Sequence, residues 1–178
     1  MKAIETHYKG YRFRSRLEAR WAVFFDALGV KWEYEPEGYE LDGVRYLPDF
    51  YLPQVRMYGE VKPEPFNRID LDKARRLVTA TRLPVLMLIG MPDFVNYTTI
   101  EYDPWAENLG PVLGWDYSLI TRMIHRGERR FPCGNYLPDH QPECWPAEYA
   151  AAIVAARAAR FEYGDSPRVY PYAKHTAV

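Results

Sequence analysis

The feature that most constrains this chain is a pair of short apolar runs carrying charge where a strand would be buried. Tyr46-Leu47-Pro48-Asp49-Phe50 is followed, a short turn later, by Tyr58-Gly59-Glu60-Val61-Lys62. On a strand, residues i and i+2 share a face and lie about 6.6–7 Å apart along the chain. Glu60 and Lys62 therefore point one way, while Val61 points into a core. With Asp49 on the neighbouring strand, two carboxylates and one ammonium converge on one patch. Paired carboxylates suit a divalent cation, and a lysine beside them can hold a water or offset developing negative charge. A surface hairpin whose Glu60 and Lys62 form a plain ion pair is the competing reading.

The residues before this stretch predict a helix. Ser15 is a natural N-cap with Glu18 at N3, the capping-box spacing, and Gly29 closes the segment. Leu17, Trp21, Phe24, Phe25 and Leu28 fall on one face at helical spacing. Ahead of it, residues 8–14 alternate aromatic with basic or small residues and read as an extended lead-in. Val30 to Pro36 alternates like a strand, and Asp42-Gly43 marks a hairpin turn whose outgoing strand delivers Pro48 and Asp49. Val55 to Lys62 forms the next strand, stopped by Pro63 and Pro65.

Helical spacing resumes near Asp70, with Leu71, Ala74, Leu77 and Val78 on the apolar face. Pro84 to Gly90 is a near-continuous apolar run, the pattern of a strand covered on both faces. The order helix, three strands, helix, strand predicts an α/β fold, a mixed sheet flanked by helices. Tyr97 to Tyr102 offers a further strand. Residues 103–147 read as long Pro- and aromatic-rich connections with a short helix near Ser118–His125. Ala147 to Phe161 is an Ala-rich helix, docking through Tyr149, Ile153, Val154 and Ala156 with Arg157 and Arg160 outward.

At 178 residues the chain suits a single domain, with a core over about 8–102, an extension over 103–164 and a tail over 165–178. Its 48% apolar and 16% aromatic content supplies a core and argues against wholesale disorder. A net charge of −1 does not describe a general polyanion binder. The first twenty residues are nonetheless basic, through Lys2, Lys9, Arg12, Arg14, Arg16 and Arg20. Arg12, Arg14 and Arg16 interleave with Tyr11 and Phe13, so they suit phosphates while the rings suit unpaired bases. A solvated basic face is the alternative, and it also competes for Lys73 and Arg76 on the second helix.

No apolar run reaches about 18 residues, which predicts no spanning helix and no membrane partner. The start has no signal-peptide pattern, and two cysteines make no disulfide framework, so a cytoplasmic setting is expected. His125, Cys133, His140 and Cys144 lack the tight Cys-x-x-Cys knuckle, and a structural zinc is not expected. No phosphate-binding Gly loop and no serine nucleophile elbow is present.

Pro48-Asp49 followed by Glu60-Val61-Lys62 resembles the signature of the PD-(D/E)XK nuclease superfamily. The resemblance spans residues 8–90, and the Arg14-Ser15-Arg16-Leu17-Glu18 helix makes it most similar to small phage and mobile-element members. These include Holliday-junction resolvases and the mismatch-nicking Vsr and transposon end-cleaving TnsA types. It implies a restriction-endonuclease-like core and a metal-dependent DNA endonuclease. Asp49, Glu60, the Val61 carbonyl and Glu18 would hold Mg²⁺ or Mn²⁺, and Lys62 would orient the attacking water. Asp49, Glu60, Lys62 and Glu18 would be the catalytic set, and Arg12, Arg14, Arg16 and Lys73 the DNA contacts. For Glu18 the capping box explains the residue equally well. A homodimer fits an enzyme that cuts both strands. Two alternatives remain. One is a nuclease-fold module that binds DNA or protein without cutting. The other, compatible with the endonuclease, makes residues 103–147 an interaction surface within a phage or transposition complex.

Overall fold

The computed structural model describes residues 4–93, 97–101, 112–114 and 147–161. The chain opens with a hairpin, β1 (Thr6–Tyr8) and β2 (Tyr11–Phe13), where a single lead-in strand was expected. Its turn residues Lys9 and Gly10 both take positive φ (48° and 82°), the geometry that matches strand twist in a two-residue hairpin. Helix α1 (Arg16–Ala27) follows. Its end is a Schellman motif: Val30 N–H donates to the Phe25 carbonyl at 2.8 Å and Gly29 N–H to that of Asp26 at 3.0 Å. Gly29 makes this possible at φ 70°.

Next come β3 (Glu33–Tyr34), β4 (Tyr39–Leu41), β5 (Val44–Tyr46), β6 (Phe50–Leu52) and β7 (Met57–Lys62). Helix α2 (Arg68–Thr81), β8 (Val85–Ile89), β9 (Tyr97–Glu101), β10 (Val112–Gly114) and α3 (Ala147–Ala158) complete the described chain. The main sheet is mixed, in the order β10-β9-β8-β7-β6-β3. Only β7 and β8 run parallel, joined across α2, and the other pairs are antiparallel. The molecule is thus α/β, a mixed sheet flanked by helices. Among the described residues no helix is long and apolar enough to cross a membrane.

Several expectations need correction. The strand expected over Val30–Pro36 shrinks to two residues, because Glu35 turns to φ 46° and ends the extended run. The Asp42-Gly43 turn forms as expected, with φ of 50° and 78°, but among the described residues β4 and β5 pair only with each other. Leu47 and Pro48 interrupt the chain before β6, Pro48 having no N–H to continue a ladder. A strand, β10, lies at 112–114, where long connections were expected, set by pairing with β9. In α3, Val154 is exposed while Ala152 is buried, since the docking face follows positions 149, 152, 153 and 156. Arg157 is exposed, as expected, and from the surface pairs with Asp93 at 2.8 Å and donates to the Pro92 carbonyl. The expected helix near Ser118–His125, the His125, Cys133, His140 and Cys144 set and the tail lie outside the described residues.

Strict alternation divides the two faces. Phe50, Leu52, Met57, Val61, Leu86 and Leu88 turn toward α1 and α3. Tyr58, Val85 and Met87 turn toward α2 and the β4–β5 hairpin. Phe50 is the hub of the first face, its ring 5.4 Å from Phe25, 5.9 Å from Trp32 and 6.2 Å from Phe13. Burying each such ring contributes roughly 1.5–3 kcal/mol. This packing fixes β6, and with it the residue just before Phe50.

Gly59 stands opposite Phe50 on β7. A Cβ there would sit 3.3 Å from the Phe50 Cβ, an atom fixed to the backbone that cannot rotate away. Gly59→Ala is therefore expected to destabilise by about 1–3 kcal/mol, read as a lower denaturant midpoint. An unchanged midpoint would show that β6 and β7 are not held at this spacing.

Candidate functional site

Extending the β6–β7 register one step past Phe50 and Gly59 sets Asp49 opposite Glu60. Both side chains leave the sheet on the face away from Phe50 and Val61, as alternation requires. Both are buried, at 8% and 6% exposure. Asp49 Oδ2 accepts from the Val61 N–H at 2.7 Å, and the Asp49 carbonyl accepts from the Glu35 N–H at 2.9 Å. Asp49 is thereby tied by its side chain to β7 and by its backbone to the residue that follows β3. The left-handed φ of Glu35 is a costly conformation for a residue with a Cβ, of the kind that accumulates at functional sites.

Glu60 is held from two sides. Lys62 Nζ lies 2.7 Å from Oε1, and the Tyr46 hydroxyl donates to Oε2 at 2.8 Å. Lys62 also reaches Asp70 Oδ1 at 3.9 Å, the carboxylate that completes a capping box with Asn67 at the start of α2. Burial drives the Asp49 carboxyl well above the ordinary carboxylate range. The Glu60 and Glu18 charges add to that push, against the Val61 N–H and Lys62. Burial alone would lower the Lys62 pKa, but the charges of Glu60, Asp49 and Asp70 outweigh it and hold Lys62 above its usual value. Burial and the Glu60 charge push the Tyr46 hydroxyl far above the phenol range, so it stays a donor.

These groups line a cleft of about 610 Å³, together with Arg14, Arg45 and Lys73. Of the sequence-predicted residues, Asp49, Glu60 and Lys62 come together here, and Arg14 and Lys73 join them. Glu18 stands behind the cleft, buried, its charge felt at Asp49. Its Oε1 accepts from the Ser15 hydroxyl at 2.6 Å, and its Oε2 from the Arg14 N–H at 3.2 Å and the Tyr34 hydroxyl at 2.5 Å. Ser15 caps α1 through the Glu18 N–H as expected, but the return bond from Glu18 goes to Arg14. Arg12 is engaged with Glu5 at 2.6 Å on the exposed hairpin, and Arg16 is exposed at the first turn of α1. Phe13 is fully buried, so of the two interleaved rings only Tyr11 presents a surface.

The sequence reading missed Tyr46, Arg45, Tyr34 and Asp70. Only Tyr46 carried a signal, an aromatic residue at the end of a strand close before Asp49. Tyr46→Phe removes one hydrogen bond to a buried carboxylate and nothing else. We expect a loss of about 1.5–3 kcal/mol in stability and, if the carboxylate pair takes up Mn²⁺, a 10–100-fold weaker affinity for it. Denaturant titration reads the first and calorimetry the second, and unchanged Mn²⁺ binding would remove Tyr46 from the ligand set's support.

Chemically, the donor set fits a hard divalent cation: two opposed, buried carboxylates with more negative charge than Lys62 alone offsets. Among the described residues no group of three or more His, Cys, Asp or Glu is arranged to hold a metal ion. A cation there would need backbone, water or substrate oxygens to complete its shell. The fold and site together define an α/β protein with a cleft of mixed charge in which a carboxylate pair and a lysine meet beside β6 and β7. The chain matches no family model, no curated protein and no solved structure.

Proposed function

We propose that this protein is a Mg²⁺- or Mn²⁺-dependent DNA endonuclease with a restriction-endonuclease-like core. The observation that carries the reading is the meeting of Asp49, Glu60 and Lys62 on adjacent strands in one cleft. With the β4–β5 hairpin set aside, the chain order α1, β3, β6, β7, α2, β8 also follows the helix, three strands, helix, strand pattern of PD-(D/E)XK nucleases. Asp49 and Glu60 hold the cation, with the Val61 carbonyl as a third donor. A divalent cation there supplies Lewis acidity at the scissile phosphate and lowers the pKa of the attacking water. Lys62 orients that water and offsets charge as the phosphate becomes five-coordinate. Lysine suits the task because nearby carboxylates keep it charged. Glu18 acts from behind, adding negative charge next to Asp49. DNA is the partner, through Arg14 and Lys73 at the cleft.

The test is cleavage of supercoiled, mismatched and four-way DNA with each metal. Wild type should cut and Asp49→Ala should not. Identical behaviour of the two would overturn the catalytic assignment.

One observation favours a second reading, a nuclease-fold module that binds without cutting: both Glu60 oxygens already have partners in Tyr46 and Lys62. Calorimetry separates the two. A cutting site binds Mn²⁺ and loses it on Glu60→Ala, whereas a binding module shows no metal heat in either form.

A further inference from the structure

Among the described residues the β4–β5 hairpin belongs to no larger sheet, yet it forms part of the cleft wall. It is held there at three points. The Tyr39 and Tyr58 hydroxyls bond at 2.6 Å, Tyr46 bonds Glu60 at 2.8 Å, and Asp42 at the turn meets Arg76 at 3.4 Å. Such anchoring makes the hairpin a fixed wall. Alternation along β5 then sends neighbouring residues opposite ways: Tyr46 inward to Glu60, Arg45 outward. Arg45 and Lys73 both line the cleft, and among the described residues neither has an ion-pair partner. Lys62, by contrast, is engaged by Glu60, and Arg14 by Glu35 at 2.6 Å.

We propose that the hairpin is a phosphate clamp for a DNA strand, with Arg45 on the hairpin and Lys73 on α2 contacting separate backbone phosphates flanking the Asp49–Glu60 pair. This rests on the endonuclease reading for the identity of the substrate. Cations on separate elements around one pair of carboxylates suit a chain of phosphates better than a single anion. Arginine adds a planar fork that bonds a phosphate through two N–H groups. Glu40 faces Arg45 in register across the hairpin, on the same exposed side, and opposes any phosphate that Arg45 attracts.

The test uses fluorescein-labelled duplex DNA and anisotropy over a range of salt, in an Asp49→Asn background so that cleavage does not blur binding. Arg45→Ala should weaken binding and flatten the slope of log K against log salt by about one. Glu40→Gln should tighten binding. Arg75→Ala, an equal loss of charge on the exposed side of α2, should change neither. Melting curves confirm that each variant is folded, which the exposure of all three side chains favours. The clamp is overturned if Arg45→Ala behaves like Arg75→Ala, or if the parent binds no DNA. Cleavage is scored separately in the wild-type background. A protein that cuts DNA equally well with and without Arg45 sinks the clamp and leaves the endonuclease reading standing.

Discussion

Asp49→Asn is expected to end cleavage while making the metal-free protein more stable. On the proposed endonuclease reading, the loss of activity, on the order of 10³-fold or more, follows from removing one of the two carboxylates that would hold the cation. The gain in stability has a different source. Asp49 is buried opposite Glu60, and that burial together with the neighbouring charge raises its carboxyl well above the ordinary range. Ionised, it is a cost to the fold. Asn keeps an oxygen to accept the Val61 N–H, now made at 2.7 Å, and carries no charge. The expected gain is about 1 kcal/mol, or roughly 3 °C in melting temperature at this length.

The pH dependence follows from the sign of the shift. A carboxyl with a raised folded pKa binds its proton more tightly in the folded chain than in the unfolded one. Its contribution favours folding at acid pH. It is lost as pH climbs from the unfolded value through the folded one. Wild-type, metal-free stability should therefore fall across that window relative to Asp49→Asn. Metal reverses the order. At a hundred times its Kd, a bound ion adds about 2.7 kcal/mol to the protein that holds it and nothing to one that does not. Melting curves with and without Mn²⁺ should thus cross between wild type and variant. A variant less stable than wild type in chelator would mean that Asp49 is already neutralised by its surroundings.

What the sequence made legible is what local chemistry decides. Ser15 and Gly29 bracket α1, Asp42-Gly43 turns a hairpin, and the apolar run through Val85–Ile89 is a buried strand. The carboxylate pair was readable because period-two alternation puts Asp49 and Glu60 on one face once Phe50 pairs with Gly59, whereas a slip of one residue would part them. What stayed hidden depends on distant partners. The detachment of β4 and β5 from the main sheet follows from where Pro48 breaks the ladder and from α2 covering the hairpin, which no local pattern records. The start of α2 at Arg68, just before Asp70, agrees with the sequence, but the Asn67–Asp70 capping box that fixes it was not read there. Tyr46 and Arg45 gain meaning only once the hairpin is seen beside Glu60.

Lys62→Met should also end cleavage, yet shift stability in the opposite direction. Lys62 is the cation that contacts the acidic pair directly, 2.7 Å from Glu60 Oε1, and its charge lowers the cost of ionising Asp49. Methionine keeps much of the stem's packing but leaves Glu60 with Tyr46 as its remaining partner. The expected destabilisation is about 1–2 kcal/mol, less than for a fully buried pair because water reaches part of the Lys62 side chain. Without Lys62 the Asp49 carboxyl rises further, so the deficit should grow from acid to neutral pH. In the wild type, Lys62 has a raised folded pKa. Its own contribution is complete below its unfolded pKa and disappears only as pH rises through the folded value, in the alkaline range. The double variant Asp49→Asn/Lys62→Met should recover most of the loss, because one of the two carboxylates that needed the ammonium is gone. Lys62→Arg tests the role in cleavage separately: it keeps the charge, and so the stability, but replaces a compact ammonium with a broad fork and should still cut poorly. If Lys62→Met instead stabilised the metal-free protein, the acidic pair would not be short of a cation, and the case for a metal at Asp49 and Glu60 would fall with it.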